Sequence, residues 1–193
     1  MTRTPLRLAV IIASTRQGRF APTVAHWFTR TAEQRADLDI DVIDLAEHPL
    51  AHLGEEATPE QARHHAALTP RLAAADAFVV ITPEYNHSFP AALKNAIDLH
   101  RTEWHAKPVG FVSYGGLGGG LRAVEQLRLV FAELHAATVR DTVSFHNVWS
   151  LFDQDGEPLD ATIQNGAAKG MLDQLTWWAH ALRNARTTHP YNA

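Results

Sequence analysis

Apolar positions along the chain alternate between short continuous runs and longer stretches with helical spacing. Residues 6–13 are continuous, apolar and β-branched, the pattern of a strand covered on both faces. Similar runs at 40–45, 77–82 and 109–114 predict three more strands, and 137–145 a fifth, with room for a break at Asp141. Between them, apolar residues recur at three- and four-residue intervals over 22–36, 61–75, 90–100, 121–134 and 163–186, which predicts five helices. Strands that alternate with helices imply a parallel sheet with helices on both faces and right-handed crossovers. Five strands fit the order 2-1-3-4-5. No repeat, low-complexity segment or linker interrupts the pattern, so residues 1–193 are expected to form a single domain.

Composition narrows the function classes. A chain of 193 residues, 46% apolar and 20% charged, is an ordinary globular composition. The formal charge of −4 argues against a general nucleic-acid binder. With no cysteine there is no disulfide, no thiolate nucleophile and no cysteine-based metal site. The apolar run at 8–13 is too short to span a bilayer. Arg16 and Arg19 stand where a signal peptide would need small residues. A cytoplasmic protein with no membrane partner is expected.

The candidate chemistry lies in the loops that follow strands. Residues 81–98 read ITPEYNHSFPAALKNAID: a strand end, a polar loop, and a helix opening at Pro90, where a missing N–H is tolerated. The loop offers Thr82, Tyr85, Asn86, His87 and Ser88, without a metal-ligand spacing or a nucleophile–base pair. Glu84 fits a simple brace and His87 a rim histidine. After the first strand, Ser14-Thr15-Arg16-Gln17-Gly18-Arg19 admits two readings: a phosphate cradle at a helix N-terminus, or a solvated loop satisfying its own donors. After the fourth strand comes the run from Gly115 to Gly120. Gly118, Gly120 and Ala123 match a G-x-G-x-x-A dinucleotide spacing, but the run follows the wrong strand for it. A backbone packed flat against an aromatic ligand suits the run better.

Other features read as structural. The 12 histidines include His48/His52 and His64-His65, and neither grouping has zinc-site spacing, so no metal is expected. Trp177 and Trp178 share helical spacing with Leu172, Leu175, Ala179 and Leu182, which predicts core packing. Leu93, Ala96, Ile97 and His100 form one helical stripe, with Ala92 and Leu99 widening the arc.

Three blocks, in order and in register, resemble the NAD(P)H-dependent FMN reductase family: Ala13-Ser14-Thr15-Arg16-Gln17-Gly18-Arg19, the Pro-Glu-Tyr-Asn loop with its Leu-Lys-Asn-Ala-Ile-Asp helix, and the segment from Lys107 to Gly116. The resemblance covers roughly residues 6–123. It implies a flavodoxin-like three-layer sandwich, with FMN and NAD(P)H as cofactors. It places the FMN phosphate at Ser14, Arg16, Arg19, Phe20 and Ala21. The isoalloxazine falls between Pro83, Glu84, Tyr85, Asn86 and His87 on one side and Ser113, Tyr114, Gly115, Gly116 and Gly118 on the other. Tyr85 is expected to stack or to shape the nicotinamide pocket. No catalytic side chain is implied, because hydride passes from nicotinamide to flavin N5 and on to a small-molecule acceptor. The resemblance also implies a homodimer or homotetramer with the helix at 90–100 at the interface, and the neighbouring loop through Trp104 is expected to supply an aromatic anchor there. A quinone, azo, nitro or metal-oxyanion reductase with tightly bound FMN is the alternative activity. A flavodoxin-like electron carrier is a further one, and carriers are typically more acidic than −4.

Overall fold

The computed structural model describes residues 4–191. Its sheet contains β1 (Leu6–Ile12), β2 (Leu38–Asp44), β3 (Ala77–Pro83), β4 (Pro108–Tyr114), β5 (Ala137–Thr138) and β6 (Val143–Phe145). The order is β2-β1-β3-β4-β5, with β6 also paired to β4, and every pairing is parallel. This is the expected topology. The helices are α1 (Ala21–Glu33), α2 (Pro59–Ala74), α3 (Ala91–Leu99), α4 (Leu121–Glu133) and α5 (Thr162–Thr188).

Period-two alternation along the strands divides the core into two layers. Leu6, Leu8, Val10 and Ile12 of β1 face α1 and α5, together with Val79, Ile81 and Val112. Ala9 and Ile11 face α2, α3 and α4, together with Phe78, Val80, Val109 and Phe111. Both faces of the central strands β1, β3 and β4 are therefore largely dry, which accounts for their apolar runs.

The fifth strand is split in two. Between the halves, Arg128 of α4 donates to the carbonyls of Val139 (2.7 Å) and Arg140 (2.9 Å). Those carbonyls serve a guanidinium, and the sheet edge is blunted at that point. Helix α2 starts earlier than its periodicity suggests. Thr58 and Gln61 form a reciprocal capping box, and Pro59 sits in the first turn. Pro90 caps α3 from outside in an extended conformation and is not its first helical residue.

Two expectations need correction. Trp177 and Trp178 are 65% and 42% exposed, while Leu172, Leu175 and Ala179 are buried. The indoles thus lie beyond the buried stripe of α5. Ala96 and Trp104, expected in a partner seam, are instead packed inside the chain itself. Leu93, Ala96, Ile97 and His100 are all buried against the chain's own sheet and helices. Trp104 is 1% exposed, between Phe78 and Phe131. A single apolar stripe is fully used by the sheet beneath it.

Asp76, at the start of β3, receives Arg183 Nη1 (3.1 Å), Arg186 Nη2 (3.4 Å) and the Arg7 backbone N–H (3.1 Å). This pins the last turns of α5 under the N-terminal edge of the sheet. The opposite, C-terminal edge carries the three loops at 13–20, 84–90 and 115–120.

Candidate functional site

The first loop leaves β1 at Ala13, whose N–H bonds to the Ile81 carbonyl (3.0 Å). Among the described residues, the backbone N–H groups of Thr15 to Gly18 have no protein acceptor. Helix α1 then opens with no side-chain cap, no acidic residue in its first turn and Pro22 near its start. Its orphan donors and the positive end of its dipole are uncompensated, a setting that suits an anion. Arg16 is exposed and has no side-chain partner among the described residues.

Arg19 is differently placed. Its Nη1 and Nη2 donate to Asp44 Oδ1 and Oδ2, both at 2.6 Å, and Nη1 also reaches the Ser14 carbonyl at 2.5 Å. The bond to Asp44 raises its pKa further above the ordinary arginine value. Arg19 is a brace on the loop, with three of its five donors taken by protein. Phe20 turns its ring onto Phe152 (5.5 Å between centroids), and Ala21 is buried in the core, so both can offer only backbone to the site.

The second loop is a tight reversal. Tyr85 and Ser88 exchange backbone hydrogen bonds (2.8 and 3.0 Å) around Asn86 and His87, both left-handed at φ 49° and 73°. Glu84 forms an ion pair with Arg122 of α4, and its Oε2 accepts the Arg122 backbone N–H (3.3 Å). Gln126 Nε2 donates to the His87 carbonyl (2.9 Å), while the Ser88 hydroxyl donates to Gln126 Oε1 (2.5 Å). The N–H groups of Asn86 and His87 have no acceptor among the described residues. The Tyr85 hydroxyl does not face outward. It meets the Ser14 hydroxyl at 2.6 Å and so ties the first loop to the second.

The third loop runs from Ser113 to Gly120. Gly120 has φ 82°, and a Cβ there would fall 2.6 Å from the Ser113 Cβ, so the turn requires glycine. Ser113 is fully buried, and its hydroxyl and that of Ser144 both donate to the Gly119 carbonyl at 2.8 Å. Pro83 and Tyr114 are buried too, and burial raises the Tyr114 phenol pKa. Ser113, Pro83 and Tyr114 therefore shape the site from beneath. Gly116 is the reverse case: a Cβ there would meet nothing closer than the Trp149 ring at 4.0 Å. The N–H groups of Gly116, Leu117 and Gly118 have no acceptor among the described residues. A cleft of about 320 Å³ lies between the second and third loops, lined by Glu84, Asn86, His87, Gly116 to Gly120 and Arg122.

A family model described as NADPH-dependent FMN reductase matches residues 6–150. The chain belongs to the NADPH-dependent FMN reductase family. A NAD(P)H-dependent FMN reductase of Schizosaccharomyces pombe is 38% identical over 120 residues, 59% of this chain and 60% of that protein. The chain thus spans about 60% of that relative's length. A quinone reductase of Pseudomonas putida is 28% identical over 181 residues, 89% of this chain and 93% of the relative. Among solved structures, the flavoenzyme NAD(P)H:(acceptor) oxidoreductase FerB from Paracoccus denitrificans superposes with a TM-score of 0.70 at 22% identity, covering 89% of this chain and 98% of that one. A flavodoxin from Pseudomonas aeruginosa superposes at 0.51 and 18% identity, over 92% of this chain and 99% of that one. The fold is flavodoxin-like, as the sequence blocks implied.

Within this FMN reductase fold, the structure brings Ser14, Arg16, Glu84, Tyr85, Asn86, His87, Gly115, Gly116 and Gly118 to one edge of the sheet. The sequence reading missed Asp44, Arg122, Gln126 and Trp149. Asp44 had a signal: it ends β2, and the 2-1-3 order puts that end beside the first loop. The other three lie on α4 and beyond β6, where only tertiary packing brings them beside the second and third loops.

Proposed function

We propose that this chain is an NAD(P)H-dependent FMN oxidoreductase that passes electrons to a small-molecule acceptor. One observation carries the proposal. Three loops bring backbone N–H groups without protein acceptors to the same sheet edge, beside an uncapped helix N-terminus and an open glycine. FMN matches that donor set, since its phosphate and its pyrimidine edge are hydrogen-bond acceptors. When bound, FMN supplies a two-electron carrier that takes hydride from nicotinamide and gives it to the acceptor.

The chain's own residues do the rest. Thr15 to Gly18 and Arg16 hold the phosphate, and Arg19 keeps their backbone in place. Asn86, His87 and Gly116 to Gly118 offer donors to the pyrimidine edge. Gly116 leaves room for a flat ring, and Glu84, Arg122 and Gln126 hold the second loop still. Such positioning supports transfer between stacked rings without an acid–base pair.

The quinone reductase relative supports a quinone-type acceptor. No described helix is long and apolar enough to cross a membrane, which is compatible with a cytoplasmic enzyme. A homodimer or homotetramer remains part of the proposal, but through surface other than Ala96 and Trp104. Purification tests the whole reading. A yellow protein that bleaches with NADPH under anaerobic conditions is expected. Yellow protein that does not bleach would indicate an electron carrier, and failure to take up added FMN would remove the cofactor from the account.

A further inference from the structure

Of the five tryptophans, Trp27 and Trp104 are buried, and Trp177 and Trp178 sit on α5. Trp149 alone stands at the loop-bearing edge, 66% exposed, with its ring the nearest atom group to the open side of Gly116. Its backbone is held firmly. The Asn147 N–H bonds to the Gly116 carbonyl (2.9 Å), and the Val148 N–H to the Gly115 carbonyl (3.1 Å). Val148 beneath it is fully buried, and residues 148–150 form a 3₁₀ turn closed by the Leu151 N–H on the Val148 carbonyl (3.1 Å). The indole is thus a large apolar plate on a rigid mount, beside a glycine with no side chain. Leu117, the next residue, is 88% exposed on the same turn. Two large apolar side chains are thus left in water on the turns around Gly116, where burial against a flat ligand would be favourable.

We propose that Trp149 is a stacking wall for a planar aromatic ring and so sets what the site accepts. This rests on the FMN-dependent reading above. An indole face recognises flat π-systems and is indifferent to small non-aromatic molecules. Two rings share that chemistry: the isoalloxazine of the cofactor and an aromatic electron acceptor such as a quinone.

Calorimetry on the wild-type chain, Trp149→Ala and Trp149→Phe separates these sources. FMN and riboflavin are titrated into flavin-free protein, and anthraquinone-2-sulfonate into FMN-loaded protein with no nicotinamide present. A stacking contact predicts that Trp149→Ala loses affinity by about 5- to 15-fold and that Trp149→Phe recovers most of it. Equal losses for FMN and riboflavin identify the isoalloxazine as the stacked ring. Unchanged flavin affinity with a weakened quinone identifies the acceptor. If neither ligand is affected, or if Trp149→Phe is as poor as Trp149→Ala, the inference is overturned. A wild-type chain that takes up neither FMN nor riboflavin removes the cofactor reading, and this inference with it. Flavin binding that ignores the indole, together with quinone binding that ignores it, overturns this inference alone.

Discussion

Arg19 and Asp44 are joined by two parallel hydrogen bonds of 2.6 Å, and the same guanidinium holds the Ser14 carbonyl at 2.5 Å. Asp44 Oδ1 also accepts the Ala46 N–H at 3.0 Å. The two side chains are only 17% and 13% exposed, so the pair is largely withdrawn from solvent screening. This arginine braces the first loop through an aspartate on the neighbouring strand. Removing Asp44 leaves a cation without its partner. Asp44→Ala is expected to lower the unfolding free energy by about 2–3 kcal/mol. Urea denaturation followed by fluorescence measures this directly. An unaltered midpoint would mean that the pair is not structural.

In the proposed site, Arg16 is the exposed arginine assigned to the phosphate. Arg16→Ala is expected to weaken FMN by about 1.5–3 kcal/mol, the range of a hydrogen bond to a charged group. Riboflavin, which lacks the phosphate, should be nearly indifferent. Titrations of both flavins into wild-type and variant protein give the comparison, and equal losses would place the phosphate elsewhere.

Gly116 and Gly120 should respond differently to the same kind of change. Gly116 does not have a positive φ, and its Cβ position is open. Gly116→Val should therefore melt near the wild-type temperature without flavin and bind FMN poorly, because the new side chain fills ligand space. Gly120→Ala combines φ 82° with a 2.6 Å approach to the Ser113 Cβ. It should cost about 1–3 kcal/mol of stability before any ligand is added. Thermal melts and FMN titrations on both variants check the pair. Normal FMN binding by Gly116→Val would show that the ring lies elsewhere.

Lys107 supplies a pH-dependent test. It is 6% exposed and donates to the Leu72 (2.9 Å) and Ala73 (2.8 Å) carbonyls at the end of α2. Burial, with Arg186 adding to it, lowers its pKa from 10.5 to about 8. The unfolded chain then binds the proton more tightly than the folded one between about pH 8 and the ordinary lysine value. Stability attributable to Lys107 must rise with pH across that window. Lys107→Met removes the titration, so the wild-type minus variant difference in unfolding free energy should grow from pH 7.5 to 10. A difference that stays flat would mean the folded-state pKa is not depressed.

Strand periodicity in this chain depends on local composition and on burial of both sheet faces. For that reason β1, β3 and β4, with their unbroken runs such as Phe78-Val79-Val80-Ile81, were legible in the sequence, whereas the 2-1-3-4-5 order came from the resemblance to flavodoxin-like chains and not from periodicity. The three loop blocks were legible because each is a short contiguous stretch of distinctive residue types. What the side chains do there was decided by distance in space. The sequence places Arg19 next to a phosphate loop, but only β2 lying beside β1 brings Asp44 within 2.6 Å of it. Tyr85 reads as a ring facing the ligand, yet its hydroxyl meets Ser14, 71 positions away. The stripe on α3 reads equally well as a dimer seam or a sheet contact, because periodicity records which face is apolar and not what covers it. Trp149 had no sequence signal at all, since its placement over Gly116 depends on two backbone hydrogen bonds between segments more than 30 residues apart. Local pattern thus determined the elements, while strand pairing and the pairing of polar groups, both set by the three-dimensional path of the chain, determined which side chains meet at the loop-bearing edge.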